Sequence, residues 1–164
     1  MEIKIRPYKT EDTQSILDII NHNILHSTSL YDYNIRSYDQ QKIILEDKIN
    51  KNFPVIVAEI DGIVVGFGMY SEFRFREAYQ FTVEHSVFVS EDFHGKGIGK
   101  KLLQKLIDLA RKQKLHTMIG VIDSENQSSV LFHKKFGFKI VGIIKESGYK
   151  FDRWLDSVLM QLIF

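Results

Sequence analysis

HGKGIGKK, residues 94–101, lies between a run of alternating apolar residues and a stretch with helical periodicity. Three glycines in five positions leave this turn almost without side chains, and three lysines stand among them. A glycine-rich turn from a strand into a helix presents free N–H groups, which form an anion site together with the helix dipole. Glycine is also used where a tight turn needs a positive φ. The stretch alone therefore permits either an anion site or a tight turn.

Two common phosphate-binding motifs do not fit this turn. A Walker A motif requires Ser or Thr after its Gly-Lys pair, but Lys101 follows Gly99 and Lys100. The dinucleotide fingerprint fits Gly95 and Gly97 and then meets Lys100 where a third glycine is required. What remains suits a pyrophosphate that is held by backbone amides and flanked by cations.

Hydrophobic periodicity on both sides of the turn predicts alternating strands and helices. The predicted strands are 1–6, 54–60, 63–70, 81–89, 117–122, 138–144 and 154–163, and the predicted helices are 10–26, a segment starting at 37, a segment that follows the turn, and 126–136. Thr10 and Ser37 are the expected N-caps. Asp61-Gly62 predicts a type I′ hairpin. This order of elements predicts an α/β sheet with helices on both faces.

Length and composition favour a single globular domain over residues 1–164, since 44% of the residues are hydrophobic. A net charge of +1 argues against a general nucleic-acid binder. The absence of cysteine excludes a disulfide framework, a thiolate metal site and a cysteine nucleophile. Neither a signal peptide nor an apolar run of the ~20 residues that a membrane helix needs is visible. The expected location is the cytoplasm, with no membrane partner.

Residues 94–99 resemble the acetyl-CoA loop of the GNAT N-acetyltransferase superfamily, Arg/Gln-x-x-Gly-x-Gly/Ala, except that His94 replaces Arg or Gln. Residues 126–138, NQSSVLFHKKFGF, resemble the second motif of that superfamily. The segments that resemble its phosphinothricin-acetyltransferase-like branch are IINHNILHSTSLY at 19–31, TVEHSVFV at 82–89, LFHKKFGF at 131–138 and SGYKFDRWLD at 147–156.

This resemblance implies a mostly antiparallel, twisted sheet of about seven strands with helices on both faces. It also implies acetyl-CoA as the acetyl donor and a small amino acid-like amine as the acceptor, joined by direct transfer in a ternary complex. Methionine sulfone, methionine sulfoximine and phosphinothricin are the expected type of acceptor. A homodimer is expected from the same resemblance.

The resemblance assigns the chemistry to Glu84 and His133. Glu84 would act as general base, directly or through a water, because a carboxylate in a half-buried cleft can be tuned toward neutral pH. His133 would protonate the departing thiolate or orient Glu84 through water. Without the resemblance, a solvated strand glutamate and a packed or surface histidine would be the expected roles.

The acetyl-CoA contacts implied by the resemblance are Val87, Phe88, Val89, His94, Gly95, Lys96, Gly97, Ile98, Gly99, Lys100, Asn126 and Ser129. Val87 and Val89 would pair with the pantetheine amides as an added strand does, and Asn126 would bind the pantetheine arm. The amides of residues 95–100 would hold the pyrophosphate. A backbone amide near Val87 or Phe88 would stabilise the oxyanion.

Tyr31, Arg76, Tyr79 and Glu84 are the implied substrate contacts. Arg76 could grip a substrate carboxylate with two hydrogen bonds, or could be a solvent-facing loop arginine. Residues 147–154 would form a second wall of the pocket, across the dimer.

The i, i+4 pair His22 and His26 has the spacing of two metal ligands, but Asn23 breaks the H-E-x-x-H motif, so no metal is expected. Two other functions stay open: a protein or peptide N-acetyltransferase, and a catalytically silent acyl-CoA-binding module. The basic and aromatic stretch 71–79 favours a small anionic amino acid over a peptide.

Overall fold

A computed structural model describes residues 2–164. Its strands are β1 Lys4–Pro7, β2 Val55–Ile60, β3 Ile63–Glu72, β4 Thr82–Val89, β5 Thr117–Asp123, β6 Lys139–Lys150 and β7 Arg153–Ile163. The helices are α1 Thr13–His26, α2 Tyr38–Asn50, α3 Ile98–Lys112 and α4 Gln127–Lys134. The strands form one sheet in the order β1-β2-β3-β4-β5-β7-β6, in which only the β4–β5 pair is parallel. The expected mostly antiparallel sheet of seven strands is confirmed.

Helices cover both faces of the sheet, as predicted. One face packs against α1 and α2 through a cluster that includes Ile16, Ile20, Leu45, Phe67 and Phe88. The other face packs against α3 through a cluster that includes Val83, Leu102, Leu106, Met118 and Phe138. Since side chains alternate along a strand, Val83 and Phe88 of β4 enter opposite clusters. β4 therefore lies between the two cores.

The local signals in the sequence are mostly confirmed. Ser37 caps α2 in a capping box, with its Oγ accepting from the amide of Gln40 at 3.2 Å. Asp61 and Gly62 have φ values of 50° and 82°, as a type I′ hairpin requires.

Three predicted boundaries need correction or comment. Thr10 is not the N-cap of α1: it opens a 3₁₀ turn, Thr10–Asp12, and α1 begins at Thr13. The turn is anchored by Asp12, which pairs with Arg6 at 2.7 Å and accepts from the Lys9 amide at 2.8 Å. The strand predicted at 138–144 continues to Lys150, because β6 keeps pairing with β7 beyond an irregularity at Ile144. Met1, placed in the first predicted strand, lies outside the described residues.

The chain ends with β7 inserted between β5 and β6, which leaves β6 at the edge of the sheet. No helix within residues 2–164 is long and apolar enough to cross a membrane.

Candidate active site

A cavity opens where β4 and β5 separate. The parallel register joins Thr82–Glu84 to Thr117–Ile119 and ends there, although β4 continues to Val89. Beyond Glu84, one edge of β4 has no neighbouring strand. The cavity has a volume of about 1100 Å³ and extends from this gap to the glycine turn and the start of α4.

Backbone hydrogen bonds show which groups of β4 face the gap. The Phe73 amide donates to Thr82 O at 3.2 Å and the Ser90 amide donates to Val65 O at 2.8 Å, both across the β3 side. Alternate residues of an antiparallel pair direct N–H and C=O toward the same neighbour, and the β3–β4 register is unbroken. The N–H and C=O groups of Val87 and Val89 therefore face the gap, whereas those of Phe88 face β3. Of the two amides considered for the oxyanion, only that of Val87 is directed into the cavity.

The glycine turn leads directly into α3. Gly95 and Gly97 have φ values of 75° and 78°, a region that side chains rarely adopt, and Gly97 is the N-cap of α3. Within residues 2–164, the amides of residues 95–100 have no hydrogen-bond acceptor, and the first bond of the helix runs from Lys101 N to Gly97 O. Six consecutive donors at the positive end of a helix form an anion site. The tight turn and the anion site are therefore the same feature.

The basic side chains around the turn differ in orientation. Lys100 lines the cavity. Lys96 does not: its Nζ donates to Asp92 O at 3.0 Å and lies 4.5 Å from the centroid of the Phe93 ring. His94 Nε2 donates to Val89 O at 2.9 Å, so its ring is hydrogen-bonded to the last residue of β4.

The start of α4 forms the opposite wall of the cavity. Asn126 is the N-cap, and its Oδ1 accepts from the Ser129 amide at 3.1 Å and from Ser128 Oγ at 2.9 Å. This capping uses the amide oxygen and leaves the NH₂ group without a hydrogen-bond acceptor among the described residues. Asn126 and Ser129 both line the cavity, and their contacts with acetyl-CoA stay predictions.

Glu84 is the last residue of β4 that pairs with β5, and it is half-buried on the wall of the cavity. Burial raises the pKa of its carboxyl, and the positive charges of Lys48 and Arg74 act in the opposite direction. A carboxyl with a raised pKa is better matched to proton transfer near neutral pH. The sequence identified Glu84 but not the two cations beside it.

Arg76 and Tyr79 do not line the cavity, unlike the other predicted substrate contacts. The Arg76 guanidinium stacks on the exposed ring of Phe75, with 4.9 Å between its Cζ and the ring centroid. Tyr79 packs edge-on against Phe73. Both residues lie in or beside the short 3₁₀ turn Glu77–Tyr79, which carries them away from the gap.

Tyr31 belongs to a loop, residues 27–33, that follows α1 and closes one side of the cavity. Lys150 Nζ donates to Ser27 O at 2.7 Å and to Leu30 O at 2.6 Å. Thr28 Oγ1 donates to Asp123, and the Tyr31 hydroxyl lies 3.3 Å from the hydroxyl of Ser157. The loop is therefore tied to β5, β6 and β7.

His133 lies on the wall of the cavity but has no hydrogen bond with Glu84. Its Nδ1 donates to Ser129 O at 2.7 Å, and its Nε2 is 3.0 Å from Nε2 of His85. His85 follows Glu84 on β4 and therefore points to the other face of the sheet. His85 was not predicted as a site residue, because it shares one face of β4 with Val83, Val87 and Val89, as a core residue does.

The remaining histidine pair, His22 and His26, lies outside the cavity. His22 and His26 pack with 4.8 Å between ring centroids, and His22 Nε2 lies 3.0 Å from Glu91. Among residues 2–164, no group of three or more His, Cys, Asp or Glu side chains could hold a metal ion.

The cavity thus brings together most of the predicted site. The predicted residues on its wall are Tyr31, Glu84, Val87, Phe88, Val89, His94, Gly95, Gly97, Ile98, Gly99, Lys100, Asn126, Ser129 and His133. The predicted residues off its wall are Lys96, Arg76 and Tyr79. Free amides at one end and an open strand edge in the middle fit a long ligand with a diphosphate and several amides, which is the chemistry of acetyl-CoA.

Comparison with known proteins agrees with this geometry. The acetyltransferase (GNAT) family model matches residues 20–138, more than half of the chain. The chain therefore belongs to the acetyltransferase (GNAT) family. Membership confirms the predicted fold, enzyme class and acetyl donor.

Individual relatives cover nearly the whole chain. An L-methionine sulfoximine/L-methionine sulfone acetyltransferase from Pseudomonas aeruginosa is 37% identical, over 99% of this chain and 95% of its own length. The crystal structure of a phosphinothricin acetyltransferase from Sinorhizobium meliloti in complex with AcCoA is 33% identical, with a TM-score of 0.97 and coverage of 100% of this chain and 89% of that chain. A ribosomal-protein-alanine N-acetyltransferase from Brucella melitensis is 35% identical, with a TM-score of 0.97 and coverage of 98% and 99%.

Proposed function

We propose that this enzyme transfers an acetyl group from acetyl-CoA to the primary amine of a small amino acid of the methionine sulfone, methionine sulfoximine or phosphinothricin type. The observation that carries the proposal is that Glu84 shares one cavity with residues 95 and 97–100, whose amides have no acceptor among the described residues. The names of the Pseudomonas and Sinorhizobium relatives support the acceptor class.

Acetyl-CoA supplies the thioester whose acetyl group is transferred. Glu84 accepts the proton of the attacking amine, directly or through a water, since its raised pKa brings it nearer to neutral pH. The Val87 amide donates to the acetyl oxygen as negative charge develops there. The amides of residues 95–100 hold the diphosphate, and the gap edge of Val87 and Val89 pairs with the pantetheine arm.

Arg74 is a candidate beside Arg76 for holding the carboxylate of the substrate. Neither arginine lines the cavity, since Arg74 stacks on Phe73 as Arg76 does on Phe75, but the charges of Arg74 and Lys48 lower the pKa of Glu84. An amino acid whose carboxylate is held by Arg74 would present its amine toward Glu84. Arg74 therefore joins Arg76 as a candidate contact in the proposed substrate site.

The Brucella relative names a second candidate, acetylation of a protein N-terminus. The loop 27–33 argues against it, because Lys150, Asp123 and Ser157 tie that loop across the cavity. A peptide would need an open groove at this place, whereas a single amino acid fits a closed one. The thiol-release assay below therefore includes a peptide, so that peptide acetylation can be detected.

We also propose that the enzyme is a homodimer that pairs through β6. This edge strand exposes Ile140, Val141, Ile143 and Ile144, each by 45–55% of its surface. A long apolar edge strand is a template for pairing with another chain. Light scattering should show two chains for the native enzyme and one for Ile143→Lys, and a native monomer would contradict this part of the proposal.

A thiol-release assay tests the acceptor. The panel contains methionine sulfone, methionine sulfoximine, phosphinothricin, the standard amino acids, polyamines and a peptide with N-terminal alanine. We expect the highest kcat/KM for the sulfone-type amino acids. Release of thiol with the peptide alone would favour the second candidate, and acetyl-CoA binding without release for any amine would favour a silent binding module.

A further inference from the structure

His85 is buried in the wall of the cavity and has no role in the chemistry above. Only 7% of its surface is exposed, and its ring stacks against His133 with 5.0 Å between centroids. The two Nε2 atoms are 3.0 Å apart. Contact between two ring nitrogens at this distance requires one of them to carry a hydrogen and the other to be bare.

The surrounding groups decide which nitrogen carries it. Ser129 O can only accept, so His133 Nδ1, 2.7 Å away, must be protonated. Burial lowers the pKa of both histidines, so both rings are neutral near pH 7. A neutral His133 with a proton on Nδ1 has a bare Nε2. The hydrogen between the rings therefore belongs to Nε2 of His85.

The rest of the His85 ring agrees with this assignment. A neutral ring protonated on Nε2 has a bare Nδ1, and His85 Nδ1 is buried without a hydrogen-bond partner. An N–H donor in that position would have to be satisfied, since buried donors are seldom left unpaired. The hydrogen-bond partners of all four ring nitrogens are thus consistent with one assignment, a hydrogen on Nδ1 of His133 and on Nε2 of His85.

Uncharged residues pack against the two rings. On β5, Gly120 is so close that a Cβ there would sit 3.2 Å from His85 Nε2 and 3.4 Å from His133. Phe138 meets both rings edge-on, and Phe132 meets His133 in the same way. Across the described part of the chain, no carboxylate or cation forms an ion pair or hydrogen bond with either ring. The titratable groups that face one another here are the two histidines.

We propose that His85 is a positioning residue, whose Nε2–H donates to Nε2 of His133 and fixes His133 in the neutral tautomer that carries its proton on Nδ1. The proposal rests on the proposed function in so far as His133 takes part in the acetyl transfer. If this tautomer is present, the neutral ring of His133 cannot be the acid that protonates the thiolate. The only ring proton of His133 is committed to Ser129 O, so the neutral ring has no hydrogen on Nε2 to give to a thiolate.

Nuclear magnetic resonance of the whole enzyme tests the tautomers directly. Long-range proton–nitrogen spectra of ¹⁵N-histidine-labelled protein distinguish protonated from bare ring nitrogens, and His85→Phe and His133→Phe assign the signals. At neutral pH we expect a proton on Nδ1 of His133 and on Nε2 of His85. A proton on Nε2 of His133, or a charged ring, overturns the proposal, and this measurement needs no substrate.

Two variants separate the hydrogen bond from simple packing. Gln at position 85 offers an N–H donor in place of His85 Nε2–H, whereas Phe fills the space without a donor. We expect His85→Phe to lower kcat about tenfold, with the KM for acetyl-CoA nearly unchanged, and to raise the pH at which His133 titrates. His85→Gln should restore most of kcat and the wild-type tautomer of His133.

The opposite order of activity, with His85→Phe above His85→Gln, would contradict the proposal. If His85→Phe keeps full activity and His85→Gln loses it, packing alone matters and the proposal is wrong. A wild-type enzyme with the expected tautomers that acetylates no small amine would contradict the proposed function and leave the pairing of His85 and His133 intact.

Discussion

The two sides of β4 differ sharply, although Glu84 and His85 are adjacent in the chain. On the α1–α2 side, Glu84 is half-buried, and the charges of Lys48 and Arg74 lower its pKa against the effect of burial. On the other side, His85 and His133 are neutral and share a hydrogen bond among aromatic rings. One strand therefore separates a carboxyl that interacts with two cations from a histidine pair that forms no ion pair among the described residues.

Burial shifts the pKa values on the two sides of β4 in opposite directions. It raises the pKa of Glu84 and lowers that of His85 and His133, because it disfavours the charged form of each group. Glu84 thereby gains affinity for a proton, as a base for an amine requires, while the histidines lose it. The difference indicates that proton transfer from the amine belongs to the Glu84 side, and that the histidine side serves to hold a geometry.

The largest expected effect comes from Glu84→Gln. Removing the base should lower kcat at neutral pH by about 10²-fold or more, whereas the affinity for acetyl-CoA, which depends on amides 95–100, should not change. Single-turnover rates and calorimetric titration with CoA measure the two quantities. Full activity in the variant would show that the charged side of β4 is not the catalytic one.

The same variant should be more stable than the native enzyme at neutral pH. A carboxyl whose pKa is raised by folding binds its proton better in the native state, so its contribution to stability is present at low pH and is lost as pH rises through the raised pKa. Gln carries no charge to desolvate. Thermal unfolding should show a higher Tm for Glu84→Gln at pH 7 and no difference below about pH 4, where Glu is protonated in both states.

The next effect concerns the cations on the Glu84 side. Arg74→Ala should raise the KM for the amino acid about tenfold, since a charge-assisted hydrogen bond to a carboxylate is lost. Arg76→Ala is the matched comparison, because each arginine stacks on the preceding phenylalanine but only the charge of Arg74 acts on the pKa of Glu84. Steady-state kinetics with the best acceptor measure both. A larger loss in Arg76→Ala would restore the assignment made from the sequence.

The sequence could predict features that depend on a local pattern. The glycine turn, the alternation along β4 and the capping box at Ser37 each need only neighbouring residues, and all three were found. Glu84 was assigned to one site with the amides 95–100 through the resemblance to the GNAT superfamily, because the strand pattern alone favours a solvated glutamate. The direction of the Val87 amide follows from the β3–β4 register, which only the folded sheet defines.

Other features depend on contacts between distant segments. Arg74 and Arg76 stand in one FRFR stretch, and the fold of the loop decides that the charge of Arg74 acts on the pKa of Glu84. His85 and His133 are 48 positions apart, so their hydrogen bond has no local signature. The extension of β6 to Lys150 likewise depends on its pairing with β7.

A smaller effect is expected at the glycine that makes room for the histidine pair. Gly120→Ala places a methyl group 3.2 Å from His85 Nε2, so the rings must move apart by a few tenths of an ångström. We expect a loss of about 1–2 kcal/mol in the free energy of unfolding, as is typical of overpacking, together with a weaker hydrogen bond between the rings. Gly142→Ala is the control, because a Cβ there meets nothing within 4 Å. Equal stabilities of the two variants would show that the histidine side is not tightly packed.

The smallest effect should appear on mild acidification. Burial lowers the pKa of His85 to about 3 in the folded protein, whereas an unfolded histidine titrates near 6.5. Between these values the unfolded chain binds a proton that the native state does not, so stability falls as pH falls through this window.

His85→Phe removes this proton uptake. Between pH 7.5 and 5.5 the variant should lose about 1 kcal/mol less free energy of unfolding than the native enzyme does, as measured by urea titration. His116→Gln, which alters an exposed histidine just before β5, should follow the native curve. Parallel curves for His85→Phe and the native enzyme would mean that the pair already carries a proton at pH 7.5, and the contrast between a charged and a neutral side of β4 would no longer hold.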